Sequence, residues 1–168
     1  MKRVCLSLVA VGLLFLATPA FSQNDLLSEM PKKKEDYAKT ETQVINTINW
    51  LESTPIKENT GKRKEQTALL IAWATGTPSV SIQIEPYVTT LSEKNPDLLA
   101  LFIGGWIKYS LENDYSKDPL KCNTAGVESA VKLYKLGGMK KDKKVQKLVN
   151  MYDEGTLEDW VKKQLGKQ

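Results

Sequence analysis

The chain has 168 residues, 41% hydrophobic and 26% charged, with a formal charge of +4 and no histidine. Lacking histidine, it cannot build a Ser-His-Asp or Cys-His nucleophile system, a histidine zinc site or histidine-ligated haem. So mild a charge gives no footing for nucleic-acid binding.

Met1–Ser22 has the features of a secretory signal peptide. Lys2 and Arg3 form a positive start, and Val4–Leu16 is an apolar run. Ala20 and Ser22, after Pro19, suit cleavage before Gln23. The apolar run is shorter than the ~20 residues that span a bilayer, so no stable membrane anchor is expected. Cys5 lies ahead of the apolar run, where a lipoprotein cysteine would not sit. Export to the periplasm or beyond follows as an expectation. Removing the first 22 of 168 residues leaves 146, a length for one domain. That is enough for a hydrophobic core without disulfide staples.

Residues 23–34 are polar apart from Leu26, Leu27 and Met30, and read as a flexible N-terminal arm with at most one docked turn. Residues 35–168 read as the folded domain. Glu35–Ser53 is predicted as an amphipathic helix, with Tyr37, Val44, Ile48 and Leu51 on one stripe. Trp50 falls about 120° from that stripe, among Gln43, Asn46 and Thr47. Either a second element covers it or it is a recognition residue.

Asn59 or Thr60 is expected to cap a second helix that closes at Gly76. Its end, Ala68–Ala74, is apolar all round and predicts burial on most sides. Residues 79–85 alternate at strand period, yet no partner strand exists. An extended connector into a short helix from Pro86 is the expectation.

Asn95-Pro96 predicts a helix start with Asn as the cap, running to about Glu112. Leu98–Ile107 is nearly continuous apolar sequence and predicts the central core helix. On a helical wheel Lys108, Glu112 and Gly105 form its narrow polar sector. Gly104 and Gly105 each cost about 1 kcal/mol in a helix interior, which implies a neighbour packed against bare backbone. A helix capped at Asn123 or Thr124 and stopped by Gly137-Gly138 comes next. Two more follow, over Asp142–Asp153 and from Thr156, where Thr156-Leu157-Glu158-Asp159 resembles a capping box. The sum is an all-α, single-domain irregular bundle of six or seven helices. No internal repeat is visible.

Three functional readings follow. The first is a non-enzymatic interaction or accessory module that contacts an envelope protein or peptide. Trp50 is its best single contact residue, and the lysine clusters Lys32–Lys34, Lys62-Arg63-Lys64, Lys140–Lys144 and Lys162-Lys163 are either solvated faces or docking points for an anionic partner or lipid headgroups. The second is a carrier with an apolar pocket around Phe102, Trp106 and Tyr134. The third is a glycan hydrolase using two of Glu85, Asp97, Glu112, Asp114, Asp118 and Glu128, though none stands in a motif.

No catalytic set, cofactor or metal site is expected. The Glu112–Asp118 loop lacks EF-hand spacing, and the glycine pairs lack phosphate-loop spacing. Cys122, the one cysteine after the signal peptide, is buried, a reactive free thiol or paired between chains. Lys121 and an adjacent helix start would lower its pKa in the second case.

Overall fold

The computed structural model describes residues 26–166, so the signal-peptide expectation lies outside it. A 3₁₀ turn, Lys34–Asp36, leads into α1 (Tyr37–Ser53). Then follow α2 (Thr60–Gly76), α3 (Pro86–Ser92), α4 (Asp97–Glu112), α5 (Pro119–Lys135), α6 (Lys143–Asp153) and α7 (Leu157–Leu165). The described residues contain seven helices and no strand, which makes the protein an all-α bundle. Residues 79–85 form the extended connector.

α4 is the axis. Leu98, Leu101, Phe102, Trp106 and Ile107 are all buried. It packs on α5 most closely and also touches α1, α2 and α3. The glycines explain the closeness. A Cβ on Gly105 would meet the Ala125 carbonyl oxygen at 2.3 Å, and one on Gly126 would meet the Phe102 ring at 2.7 Å. Each helix thus presents a notch to the other. Gly105 leaves the polar sector of the wheel for this interface because backbone contact, not side-chain polarity, decides its place. α7 closes the far side of α5 and also touches α6.

Several sequence expectations are corrected. The arm docks at Leu26 and Leu27, which are both buried. The Leu27 amide donates to Thr47 Oγ1 (2.9 Å), the Thr47 hydroxyl donates to Gln66 Oε1 (3.2 Å), and Gln66 Nε2 donates to the Leu27 carbonyl (3.1 Å). This closed polar ring ties the arm to α1 and α2, and its side chains are buried because all their partners are internal. The end of α2 is less buried than its composition implies. Leu70 and Trp73 are buried, but Ala68 and Ala72 face solvent, since a small apolar side chain loses little by exposure.

Cap assignments also move. Asn59 precedes α2 in the left-handed region, at φ 49°, and its side chain makes no cap bond. α4 begins at Asp97, and the Asn95 side chain is diverted to the backbone of Lys140. α5 begins earlier than expected, at Pro119, because Asp118 is the cap and accepts from the Leu120 and Lys121 amides. Asn123 and Thr124 therefore lie inside the helix, where each hydrogen-bonds a carbonyl four residues back. The Thr156 capping box does not form, and that hydroxyl turns back to the Met151 carbonyl. Asn95 shows the reason most directly: a polar side chain with a local option takes a tertiary partner where one is in reach.

Candidate functional site

Charge and apolar surface meet along α6. The sequence Lys140-Lys141-Asp142-Lys143-Lys144 enters this helix, and Asp142 fixes the entry. Its carboxylate accepts from the Lys144 amide at 2.8 Å, and its own amide donates to Tyr134 Oη at 2.9 Å. Lys94 stands 3.7 Å from the other carboxylate oxygen. Asn95 holds Lys140, two residues before Asp142, with two 2.9 Å hydrogen bonds, donating to its carbonyl and accepting from its amide. The turn is tied by these bonds, and its one acid is buried and already bonded.

The neighbouring lysines therefore keep their charge for the outside. Among the described residues, Lys141, Lys143, Lys144 and Lys147 are exposed and form no ion pair. Lys94, Tyr134, Lys141, Lys143 and Lys144 line an open cleft of about 650 Å³. The same Lys144 borders a second cleft of about 360 Å³ between α3, α6 and α7. Its walls are Tyr87, Leu91, Leu148, Met151 and Trp160, and Lys147 stands at its side. The two clefts share Lys144 in their walls, one cleft basic and the other aromatic.

The aromatic cleft is pre-shaped. Tyr87 and Trp160 meet edge to face, with centroids 5.2 Å apart, a favoured geometry for such rings. The Tyr87 hydroxyl donates to Asn123 Oδ1 at 2.6 Å. Burial, and secondarily the charge of Glu85, raises the phenol's pKa well above its ordinary value. The phenol therefore stays a neutral donor and keeps its ring in place.

The residues singled out from sequence do not come together. Trp50 is half-buried under the α2 N-terminus, with Lys62 Nζ 5.2 Å and Arg63 Cζ 5.8 Å from its ring. Phe102 and Trp106 are core residues with centroids 6.1 Å apart. Tyr134 lies at the basic cleft instead of beside them. The cavity that Phe102 does line, with Val88, Leu98 and Val131, holds about 20 Å³, room for one water at most. The pocket expected around Phe102, Trp106 and Tyr134 is thus a filled core.

Cys122 is free and fully buried. Its thiol donates to the Ser116 carbonyl at 3.5 Å, and burial, helped by Asp118, pushes its pKa up to about 11. The shift is opposite to that of an activated thiol. Although Cys122 lies in the first turn of α5, it is fully buried, and burial outweighs the helix start.

Sequence reasoning missed Tyr87, Lys147, Met151 and Trp160 as a set. Trp160 falls on the apolar face of α7, and only the approach of α3 and α6 shows that part of this face lines a groove. No family model, curated protein or solved structure matches the chain.

Proposed function

We propose that the protein is an exported, non-enzymatic interaction module whose α3–α6–α7 groove binds a peptide segment of an envelope protein. The segment pairs an apolar or aromatic side chain with acidic residues. The observation that carries this reading is the adjacency, through Lys144, of the Tyr87–Met151–Trp160 walls to four lysines that lack internal partners. Charge complementarity selects the acid, and the aromatic cleft supplies the desolvated anchor that interfaces depend on. The signal-peptide features of residues 1–22 support export. The absence of histidine supports a contact role over catalysis.

No helix among the described residues is long and apolar enough to cross a membrane. The lysines themselves would attract anionic headgroups. An aromatic anchor recessed between three helices suits an inserted side chain better than a flat lipid surface.

Photo-crosslinking in the producing cell tests the proposal. A crosslinker in place of Met151 is expected to give a discrete protein adduct, and one in place of the exposed Glu65 on α2 is not. The adduct should vanish when Lys144→Glu and Lys147→Glu are added. Equal adducts at both positions, or none at Met151, would contradict it.

A further inference from the structure

Residues 79–85 join α2 to α3, and the core accounts for only part of them. Val80 is buried and Ile82 packs on the core, but Ile84, next on the same face, is 45% exposed. Few large hydrophobic side chains among the described residues are so open to solvent. Ser81 and Gln83 alternate with these three and are exposed. The segment thus has the faces of a strand, with no second strand beside it among the described residues.

Its backbone is unpaired as well. Among the described residues, no amide or carbonyl of residues 80–84 enters a hydrogen bond. An extended stretch with a free row of donors and acceptors is a template for another strand. Natural sheet edges are commonly blunted by lysine or other charge. Here no charged residue lies between Glu65 and Glu85, in a chain that is 26% charged. The segment shares no residue with the α6 clefts.

The sequence itself selects the partner. Pro78 and Pro86 bracket the segment, each four residues from Ile82. Two copies running antiparallel about a two-fold axis at Ile82 set proline against proline, outside the ladder, where a missing amide costs no bond. Inside it, Val80 of one copy faces Ile84 of the other, Ile82 faces Ile82, and Ser81 faces Gln83. Apolar meets apolar on one face, and polar meets polar on the other. A slip by one residue mixes the faces. A slip by two sets a proline against Val80 or Ile84 within the ladder. We infer that the α2–α3 connector is a homodimerisation strand, pairing antiparallel with the same segment of a second copy and centred on Ile82. The contact is isologous and closes at two copies. Each exposed Ile84 gains an apolar neighbour in it.

The test uses the mature protein at concentrations up to about 1 mM. Sedimentation should show a monomer–dimer equilibrium. Amide exchange within residues 80–84 should slow at alternate positions as the dimer fills, the pattern of an antiparallel pair. Ile84→Lys should raise the dissociation constant on the order of tenfold, because the lost cross-strand pair occurs twice per dimer. The Ile84 side chain lies outside the core, so this variant should keep the wild-type circular dichroism. Cysteine pairing reads the register. Ser81→Cys mixed with Gln83→Cys should oxidise to a crosslinked dimer. Either variant alone should not, since like positions lie on a diagonal of about 7–8 Å, beyond disulfide reach. Cys122 is buried and does not compete. A monomer throughout, a dimer that Ile84→Lys leaves intact, or equal crosslinking of mixed and single variants would overturn the inference. So would protection of these amides that appears only on adding cell extract, which would give the edge to another protein.

Discussion

A Cβ built on Gly105 would lie 2.3 Å from the carbonyl oxygen of Ala125. No side-chain rearrangement relieves that contact, because the obstacle is backbone. Gly105→Ala therefore forces α4 and α5 apart. Overpacking of this kind costs about 1–3 kcal/mol, and the gain in helix propensity of about 1 kcal/mol offsets only part of it. Urea denaturation should show a net loss of up to about 2 kcal/mol. Gly61→Ala is the internal contrast, since nothing lies within 4 Å of its added Cβ. It should leave stability unchanged or raise it by up to about 1 kcal/mol. Equal effects at the two positions would mean that the α4–α5 notch is not real.

Asn95 bridges α4's entry to the turn before α6 through the backbone of Lys140. Asn95→Ala removes a donor and an acceptor together and leaves the Lys140 groups short of partners. A loss of about 2 kcal/mol is expected from two hydrogen bonds of ordinary net worth. Hydrogen exchange should localise it to residues 137–144. Uniform loss of protection across the chain would place the effect elsewhere.

Cys122 makes a prediction with a defined sign. Its ordinary pKa of 9.0 rises to about 11 in the folded state. Between these values the native state holds a proton that the unfolded state has released. The group's contribution is therefore fully present below pH 9.0 and is lost as pH climbs toward about 11. Wild type should lose stability over that window more steeply than Cys122→Ala, whatever the absolute stability of the variant. Native protein at pH 8 should resist thiol reagents and react fully in denaturant. Fast labelling of the folded protein would show an open, activated thiol instead.

The helices were legible because their apolar periodicity coincides with their burial. Val44, Ile48 and Leu51 on α1, and Val145, Leu148 and Val149 on α6, are inside where spacing alone puts them. That some neighbour packs on bare backbone was legible too, from the cost of Gly104-Gly105, but not that Gly105 meets α5 while Gly104 faces Ile48 and Leu70. Caps were less so. Asn95, Asn123 and Thr156 each have the chemistry of a cap, but Asn95 bonds distant Lys140 while Asn123 and Thr156 bond carbonyls four and five residues back, a choice that depends on what packs beside each. The groove was legible only in part. The lysine run at 140–144 and Tyr134 were visible, but the aromatic cleft joins residues from three helices far apart in sequence. Trp50 was conspicuous for being off its stripe, and Lys62 and Arg63 explain it by covering its ring.

The central claim is that the α6 groove recognises an acidic segment with an apolar anchor. Selection of a random displayed-peptide library on the mature protein tests it most directly, run in parallel on the Lys144→Glu/Lys147→Glu double variant. Both lysines are exposed and unpaired, and an acid at 144 in the first turn of α6 suits its dipole, so the variant should fold as wild type does. The account predicts enriched sequences that place Asp or Glu beside an aromatic or large aliphatic residue, bound by wild type and lost on the variant. Absence of enrichment, enrichment of basic sequences, or equal recovery on both proteins would contradict it.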